Sequence, residues 1–255
     1  MRRATTALVM VLVLAACGGG DGGQQSAGVA DPTTAVPAPE TTASPAPTTT
    51  VASHPIYRVA TAEVARVNVY DEMGATTPTG SFAHPNPTYG SPRVFLVKQE
   101  RGDWLEVYLP ARPNGSTGWI NKGDVSLAEH TYRILVELSQ FRLTLFDKDQ
   151  MVLQEPVAVG TSATPSATGF FYTTELIAVY PDEQYAYGPY AYGLSAYSEV
   201  LYSFGGGDGQ MGIHGTGDPA SIGRNVSNGC IRMTNEAITR LREMLPIGVP
   251  VEIRA

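Results

Sequence analysis

The alternation of apolar and polar residues divides the chain into an unpatterned N-terminal stretch and two β-rich bodies. Short apolar runs separated by Gly- and Pro-rich turns begin at Ile56 and continue to about Leu127. Residues 104–109 (WLEVYL) alternate in the way expected for a strand with one buried face. We therefore expect a first small domain over residues 56–128, built of short β-strands.

The second body, residues 129–255, begins with two strong strand patterns and ends with a helix. Residues 133–138 and 141–146 are rich in β-branched and other apolar residues, which predicts two consecutive strands. Asn235 is the expected N-cap of the helix. The helix is predicted from four apolar residues at helical spacing, Ile238, Leu241, Met244 and Leu245. The predicted fold class is thus mainly β with one main helix.

The first 17 residues have the pattern of an export signal. Two arginines precede an apolar run over residues 7–16, which is too short for the roughly 20 residues of a membrane-spanning helix. The run ends in LAAC at residues 14–17, which resembles a bacterial lipobox. We interpret residues 1–17 as a lipoprotein signal peptide that includes Cys17, the residue that would be lipidated. The alternatives are an ordinary secretory signal that leaves a free thiol, or a disulfide between Cys17 and Cys230.

Residues 18–55 consist mostly of Gly, Ala, Pro, Thr and Ser and contain no Lys, Arg or aromatic residue. Such a segment cannot bury enough apolar area to offset the entropy of ordering its backbone. We expect a disordered linker that holds the folded domains away from a membrane. The expected location is therefore outside the cytoplasm, anchored to the bacterial cell membrane as a lipoprotein and facing the cell wall.

The composition excludes several classes of partner. The chain has 24 acidic and 17 basic residues, a net charge of -7, and no cluster of basic residues. This argues against nucleic acid, and it restricts membrane attachment to the N-terminal lipid. The four histidines are scattered and no second cysteine lies near Cys230, so no metal site and no cofactor is expected. The protein is expected to be a monomer.

The densest candidate chemistry lies in residues 212–233, which read GIHGTGDPASIGRNVSNGCIRM. A cysteine becomes an effective nucleophile when a nearby base removes its proton, and this segment holds both Cys230 and His214. Glycines around both residues permit a strand end, a loop and a tight turn. Taken alone, Cys230 is better explained as a small buried apolar residue. The combination of the two blocks favours the nucleophile.

These two blocks, HGT at residues 214–216 and SNGCIR at residues 227–232, resemble the signature of the L,D-transpeptidases with a YkuD-type catalytic domain. SQFRLTLF, VAVG and TPSATGFF occur upstream in the order typical of that family, so the resemblance covers about the last 125 residues. It implies a β-sandwich catalytic domain. Many members have histidine where this chain has Asn228. Residues 56–128 resemble bacterial SH3-like β-barrels through ERGDWLEV followed by GWI.

The resemblance implies a role for each residue of the motif. Cys230 would be the nucleophile and His214 the general base and acid, with either the Gly215 carbonyl or Thr216 orienting the imidazole. Backbone N–H groups around Asn228, Gly229 and Cys230 would form the oxyanion hole.

Three further sets of residues are candidates for substrate binding, each with an alternative. Arg232 would hold a substrate carboxylate, or would form a structural ion pair. Ser227 would position either the turn or a substrate amide. Seven of the thirteen tyrosines lie between residues 180 and 202, where they would either pack an edge or line a substrate-facing flap. Tyr190 and Tyr192 are the candidates for contact with substrate.

By resemblance, the function is formation of 3→3 cross-links between peptidoglycan stem peptides. Cys230 would attack the carbonyl of the third stem residue, release the terminal D-alanine of a tetrapeptide and form a thioester. An amine of a second stem would then accept the acyl group. The alternatives are an L,D-carboxypeptidase with water as the acceptor, attachment of a protein to the wall, and a non-catalytic wall-binding lipoprotein.

Overall fold

A computed structural model of the chain describes residues 54–203 and 207–255. The expected signal peptide, Cys17 and nearly all of the expected linker lie outside the described residues. Among the described residues, no helix has the length and apolar character needed to cross a membrane. The described part is mainly β, as the sequence predicts.

The first domain contains seven strands, and its backbone follows the short apolar runs of the sequence. They are β1 (Tyr57–Ala62), β2 (Arg66–Val69), β3 (Gly80–Ala83), β4 (Val94–Arg101), β5 (Trp104–Tyr108), β6 (Thr117–Asn121) and β7 (Val125–His130). Five of them form an antiparallel sheet in the order β6-β5-β4-β1-β7, and β2 pairs with β3. Val67, Phe95, Leu105 and Ile120 are fully buried at its centre. Strand β7 runs to His130, past the expected boundary at residue 128.

The second domain contains the remaining ten strands and two α-helices. The strands are β8 (Tyr132–Glu137), β9 (Arg142–Asp147), β10 (Gln150–Pro156), β11 (Val159–Gly160), β12 (Gly169–Ala178), β13 (Tyr190–Tyr197), β14 (Gln210–His214), β15 (Asn225–Ser227), β16 (Ile231–Arg232) and β17 (Pro250–Arg254). The helices are α1 (Gln184–Tyr187) and α2 (Asn235–Met244). Eight strands form one sheet in the order β10-β9-β8-β17-β12-β13-β14-β16, and β11 pairs with β15.

The main helix lies where the periodicity places it, but its cap differs from the expectation. Thr234, not Asn235, is the N-cap, and its hydroxyl accepts a hydrogen bond from the Ala237 amide at 3.1 Å. Ile238 and Leu241 are buried in the core shared with the sheet. The Asn235 side chain is thereby available for a contact outside the helix, at the candidate site.

The two domains are joined by specific contacts as well as by the chain. The Tyr172 hydroxyl of β12 donates to the Val94 carbonyl at 3.2 Å, and Tyr172 is fully buried in a cluster with Val59 and Leu96. At a second contact, Arg112 of the first domain donates to the carbonyls of Ser198 (3.1 Å) and Leu201 (3.3 Å). The first domain therefore holds the segment that follows β13.

Candidate active site

The register of the sheet brings the two halves of the motif together. β14 and β16 run parallel, with Ile213 opposite Ile231 and His214 opposite Arg232. Gly212 and Cys230 each come one residue before the Ile213–Ile231 pair, so they also lie next to each other. Since alternate residues of a strand face the same side, His214 and Cys230 share one face, with their Cα atoms about 8 Å apart by strand spacing. The sixteen residues between them in sequence form the loop that allows this parallel pairing.

Both side chains line one cleft, of about 450 Å³. Its floor is formed by β12, β13 and β14, and one of its walls by the segment around α1. Thr88 and Tyr89 of the first domain also line it. A cleft of this size accommodates an extended peptide segment.

His214 is held in one tautomer by its own loop. Its side chain is 4% exposed, and its Nδ1 lies 2.6 Å from the Gly215 carbonyl oxygen. Because a carbonyl can only accept, Nδ1 carries the proton and Nε2 keeps its lone pair. Burial lowers the pKa of His214 to about 4; the hydrogen bond to Gly215 opposes this, and the nearby Arg232 cation adds to it. The imidazole is therefore a neutral base at physiological pH.

Cys230 is a free cysteine, partly exposed at the cleft. Burial raises the pKa of its thiol, while a hydrogen bond from the Gly212 backbone and the charge of Arg232 act in the opposite direction. Together with the low pKa of His214, this makes the resting pair a neutral thiol beside a neutral imidazole. The proton must then move as the sulfur attacks, and not before.

The turn before Cys230 is built by hydrogen bonds that involve Ser227 and Gly229. The Ser227 hydroxyl donates to the Cys230 carbonyl at 2.6 Å and accepts from the Gly229 amide at 3.1 Å. Gly229 has φ +116°, a conformation that strongly favours glycine. The buried Ser166 hydroxyl donates to the Gly229 carbonyl at 2.7 Å.

Two expected roles in this turn are corrected by these bonds. Ser227 is 1% exposed and positions the turn, so it does not contact substrate. The Gly229 N–H is already bonded to Ser227 and does not point to an incoming oxyanion. Within the described ranges, the N–H groups of Asn228 and Cys230 have no such bond, and the exposed Asn228 lines the cleft. The oxyanion donors consistent with the structure are therefore Asn228 and Cys230.

The loop after His214 is anchored on α2. The amide of Thr216 donates to the Asn235 side-chain oxygen at 3.0 Å, and the Thr216 hydroxyl accepts from the Asp218 amide at 3.2 Å. Of the two expected orienting groups, only the Gly215 carbonyl contacts the imidazole. Thr216 acts on the backbone of the loop instead. Asn235, expected only as a helix cap, supports the site from outside.

Arg232 lies beside His214 on the same face of the sheet, at the edge strand β16. Its Nε is buried and has no hydrogen-bond partner among the described residues, and no described carboxylate forms a salt bridge with it. The alternative of a structural ion pair is thus without support in this part of the chain. A buried guanidinium N–H without a partner favours the binding of an anion.

The two tyrosines expected to contact substrate face away from the cleft. The Tyr192 side chain is fully buried in the core, where its hydroxyl donates to the Leu245 carbonyl at 2.7 Å. The Tyr190 ring packs against the guanidinium of Arg242 on α2, 5.3 Å from its centroid. Tyr192 borders the cleft, but it is fully buried. The expectation for Tyr190 and Tyr192 was wrong because residues at even positions of β13 face the core.

Other aromatic residues take the place of those two tyrosines. Tyr187 of α1 packs edge-on against His214, with ring centroids 5.0 Å apart, and lines the cleft together with Tyr180. Tyr89 reaches the cleft from the first domain. The tyrosine cluster therefore does face the cleft in part, through residues that the sequence did not single out.

A buried acid, Glu175, also lines the cleft and was not anticipated from the sequence. It lies within the strand pattern of β12, where nothing in the local sequence distinguishes it. In the ranges that the structure describes, no group of three or more His, Cys, Asp or Glu side chains has the arrangement of a metal site.

The sequence of residues 131–253 matches the family model of the YkuD L,D-transpeptidase catalytic domain. This part of the chain is therefore similar in sequence to L,D-transpeptidase catalytic domains. The YkuD proteins of Bacillus licheniformis and Bacillus subtilis strain 168, both named as candidate L,D-transpeptidases, are 35% and 36% identical over 122 and 123 residues. Each match covers 48% of this chain and 65% of the relative, which is less than two thirds of the YkuD proteins.

Solved L,D-transpeptidases resemble the chain more distantly. L,D-transpeptidase 3 from Mycobacterium tuberculosis, solved with a faropenem-derived adduct, aligns at 14% identity with a TM-score of 0.42, covering 69% of this chain and 78% of that one. An L,D-transpeptidase from Mycobacterium smegmatis aligns at 12% identity with a TM-score of 0.40, covering 64% and 90%. At these scores the likeness adds nothing to the sequence similarity.

Proposed function

We propose that the protein forms 3→3 cross-links in peptidoglycan through a thioester on Cys230. The observation that carries the proposal is that His214, at the end of β14, and Cys230, just before the parallel strand β16, lie on one face of the sheet and line one cleft. In the first step, the Cys230 sulfur attacks the carbonyl carbon of the third stem residue while its proton passes to Nε2 of His214. The oxyanion accepts hydrogen bonds from the Asn228 and Cys230 amides.

The tetrahedral intermediate then breaks down towards a thioester. The C–N bond to the fourth residue breaks, and the imidazolium of His214 gives its proton to the departing amine of D-alanine. The Gly215 carbonyl, 2.6 Å from Nδ1, stabilises the transient positive charge on the ring. Arg232, whose Nε has no hydrogen-bond partner within the described ranges, is the group proposed to hold a carboxylate of the stem.

The acyl group is then transferred to the amine of a second stem. His214 takes a proton from this amine as it attacks the thioester carbon, and the C–S bond breaks to restore the thiol. If water replaces the amine, the product is a free tripeptide and the enzyme is a carboxypeptidase.

The N-terminal features support a location for this activity. We propose that the chain is exported and lipidated on Cys17, that residues 18–55 form a flexible tether, and that residues 56–128 are an SH3-like domain. The LAAC sequence and the composition of the linker support the first two proposals. The antiparallel five-stranded sheet with an added hairpin supports the third.

Mass spectrometry of purified protein incubated with a disaccharide tetrapeptide tests the catalytic proposal. The expected result is an adduct on Cys230 that lacks D-alanine, together with dimers that lack one D-alanine. The Cys230→Ala variant should give neither. Free tripeptide without dimers would replace transpeptidation by hydrolysis. Dimers from the alanine variant, or no acylation of Cys230 by either a stem peptide or a carbapenem, would refute the nucleophile.

A further inference from the structure

The cleft continues along its floor well beyond the thiol. Cys230 lies beside Gly212 of β14, and the lining of the cleft runs without a gap from Gly212 back through Gln210 to Asp208. These four residue steps cover up to about 14 Å. A peptide that presents a carbonyl to Cys230 therefore has room for further extended residues towards Asp208.

Tyr89 enters the cleft on the side towards Asp208, from the first domain. Burial raises the pKa of the Tyr89 hydroxyl most, followed by the charges of Glu175 and Asp208. Tyr187 and Cys230 act in the same direction but more weakly. The hydroxyl is therefore within electrostatic range of the thiol, yet it lies closer to the acidic groups than to the reacting sulfur.

The loop that carries Tyr89 is held in one shape by its own hydrogen bonds. The backbone of the buried Asn86 donates to the Ser91 carbonyl and accepts from the Gly90 amide, both at 2.8 Å. The Asn86 side-chain oxygen accepts from the Thr88 amide at 3.0 Å. These bonds close the loop on both sides of Tyr89. A ligand that packs on the ring thus loses little binding energy to ordering the loop.

The Tyr89 ring is not needed for the packing of its own domain. It is 48% exposed, whereas the core of that domain is formed by fully buried residues such as Val67, Phe95 and Leu105. A large aromatic side chain that is left half exposed on the wall of a cleft favours contact with a bound molecule.

The proposed reaction indicates which part of the donor reaches this ring. Only one residue follows the attacked carbonyl of a tetrapeptide stem, and it departs as the leaving group. The longer part of the donor, two residues, precedes the attacked residue. These two residues are long enough to cover the floor between Cys230 and the Tyr89 side of the cleft.

We propose that the Tyr89 ring packs against the two residues of the donor stem that precede the attacked one, so that the first domain completes the substrate cleft. This inference rests on the proposed function and deepens it. Tyr89 acts as a positioning residue for the donor and takes no part in the proton transfers. Recognition of the full stem is thereby a property of both domains together.

Two acyl donors test the proposal: a tetrapeptide stem, and an N-acetylated dipeptide that keeps only its third and fourth residues. The readout is kcat/KM for acylation of Cys230, followed by intact mass. Wild-type protein should prefer the tetrapeptide by about tenfold or more, because the dipeptide cannot cover the ring. Tyr89→Ala should reduce this preference to about threefold or less. Tyr89→Phe, which keeps the ring, should retain most of it.

The matched control is Met73→Ala, which shortens another side chain of the first domain that is 49% exposed and is not among the described lining residues of the cleft. It should keep the full preference. A preference that Tyr89→Ala leaves unchanged would overturn the proposal, even if both rates fall, because a purely structural role affects the two donors alike. A wild type that does not distinguish the donors would overturn it as well.

Equilibrium binding separates this proposal from the proposed reaction. If neither donor acylates the wild type, calorimetry with Cys230→Ala protein decides. Tighter binding of the tetrapeptide than of the dipeptide, lost when Tyr89→Ala is added, would refute only the reaction and support the contact with Tyr89. Absence of binding, or binding that Tyr89→Ala does not weaken, would overturn the contact itself.

Discussion

The imidazole of His214 donates from Nδ1 to the carbonyl oxygen of the next residue, Gly215, at 2.6 Å. The orienting group of this site is therefore a backbone atom, where many catalytic triads have a carboxylate. This carbonyl fixes the tautomer, and its hydrogen bond raises the pKa of the ring. Burial has the larger and opposite effect, so the pKa of His214 is lowered to about 4.

Replacement of His214 by Gln should reduce Cys230 acylation by about 10²-fold or more at pH 7, since among the described residues His214 is the histidine that lines the cleft with Cys230. The reaction should recover part of its rate as the pH rises, because the raised pKa of the thiol keeps thiolate scarce at neutral pH. Single-turnover acylation between pH 6 and 10, read by intact mass, measures both effects. His54→Gln, at an exposed position, is the control. A His214→Gln rate that does not rise with pH would contradict a neutral resting thiol.

His214 should also make the folded protein less stable in mild acid. Its pKa is about 4 in the folded state and near 6.5 when unfolded, so between these values the unfolded chain binds more protons. Stability should thus fall as the pH drops from 6.5 to 4, by up to about 3 kcal/mol from this group. Urea titrations at pH 7 and pH 4.5 measure the change, and the loss should be smaller in His214→Gln.

Two other groups must be separated from this effect. Burial also lowers the pKa of His130, which acts in the same direction, whereas the raised pKa of Glu175 favours the folded state in acid. His130→Gln measured at the same two pH values isolates the His214 contribution. An identical pH dependence in wild type and His214→Gln would contradict the assigned protonation state.

Ser227 should act on the nucleophile turn and not on substrate affinity. Ser227→Ala removes the donor to the Cys230 carbonyl and the acceptor of the Gly229 amide, leaving two buried backbone groups less satisfied. We expect a loss of about 1–3 kcal/mol in the free energy of unfolding and a lower kcat, with KM nearly unchanged. Steady-state kinetics and urea denaturation test this, with the exposed Ser126→Ala as control. A rise in KM at unchanged kcat would instead restore the original interpretation of substrate contact.

Local sequence patterns predicted part of this site. The rest depends on the register between strands, which local patterns do not contain. The strands, the helix and the pairing of His214 with Cys230 follow from local patterns and a long motif. Glu175 and Cys230 share a row across the sheet only because β12, β13, β14 and β16, which span residues 169 to 232, adopt one register. Local periodicity contains no information about such a register.

The tyrosines illustrate the same limit at smaller scale. A shift by one residue along a strand exchanges the core face for the cleft face, and composition does not distinguish the two. On β13 the cleft face is occupied by Ala191 and Gly193, while Tyr190 and Tyr192 lie on the other face. A dense tyrosine cluster therefore indicated the right region but the wrong residues.

Arg112 should couple the first domain to the cleft. Its guanidinium donates to the carbonyls of Ser198 and Leu201, both of which line the cleft, and lies 4.7 Å from the ring centroid of Tyr197. Arg112→Ala should raise KM for the stem peptide severalfold and destabilise the protein by about 1–3 kcal/mol, because it leaves two carbonyls without their donor. Arg112→Lys keeps the charge but loses the planar guanidinium, so it should recover only part of the wild-type stability and part of the wild-type affinity for the stem peptide.

The informative comparison for Arg112 is with Arg66→Ala, which removes an exposed arginine of the same domain whose guanidinium bonds only Ser81 among the described residues. That variant should leave KM and stability close to wild type. If Arg112→Ala lowered stability without affecting KM, the contact made by Arg112 would stabilise the folded protein but would not affect substrate binding in the cleft. If both variants behaved alike, the contact would have no specific role. A rise in KM confined to Arg112→Ala is the outcome expected when one domain positions a wall of the other's substrate cleft.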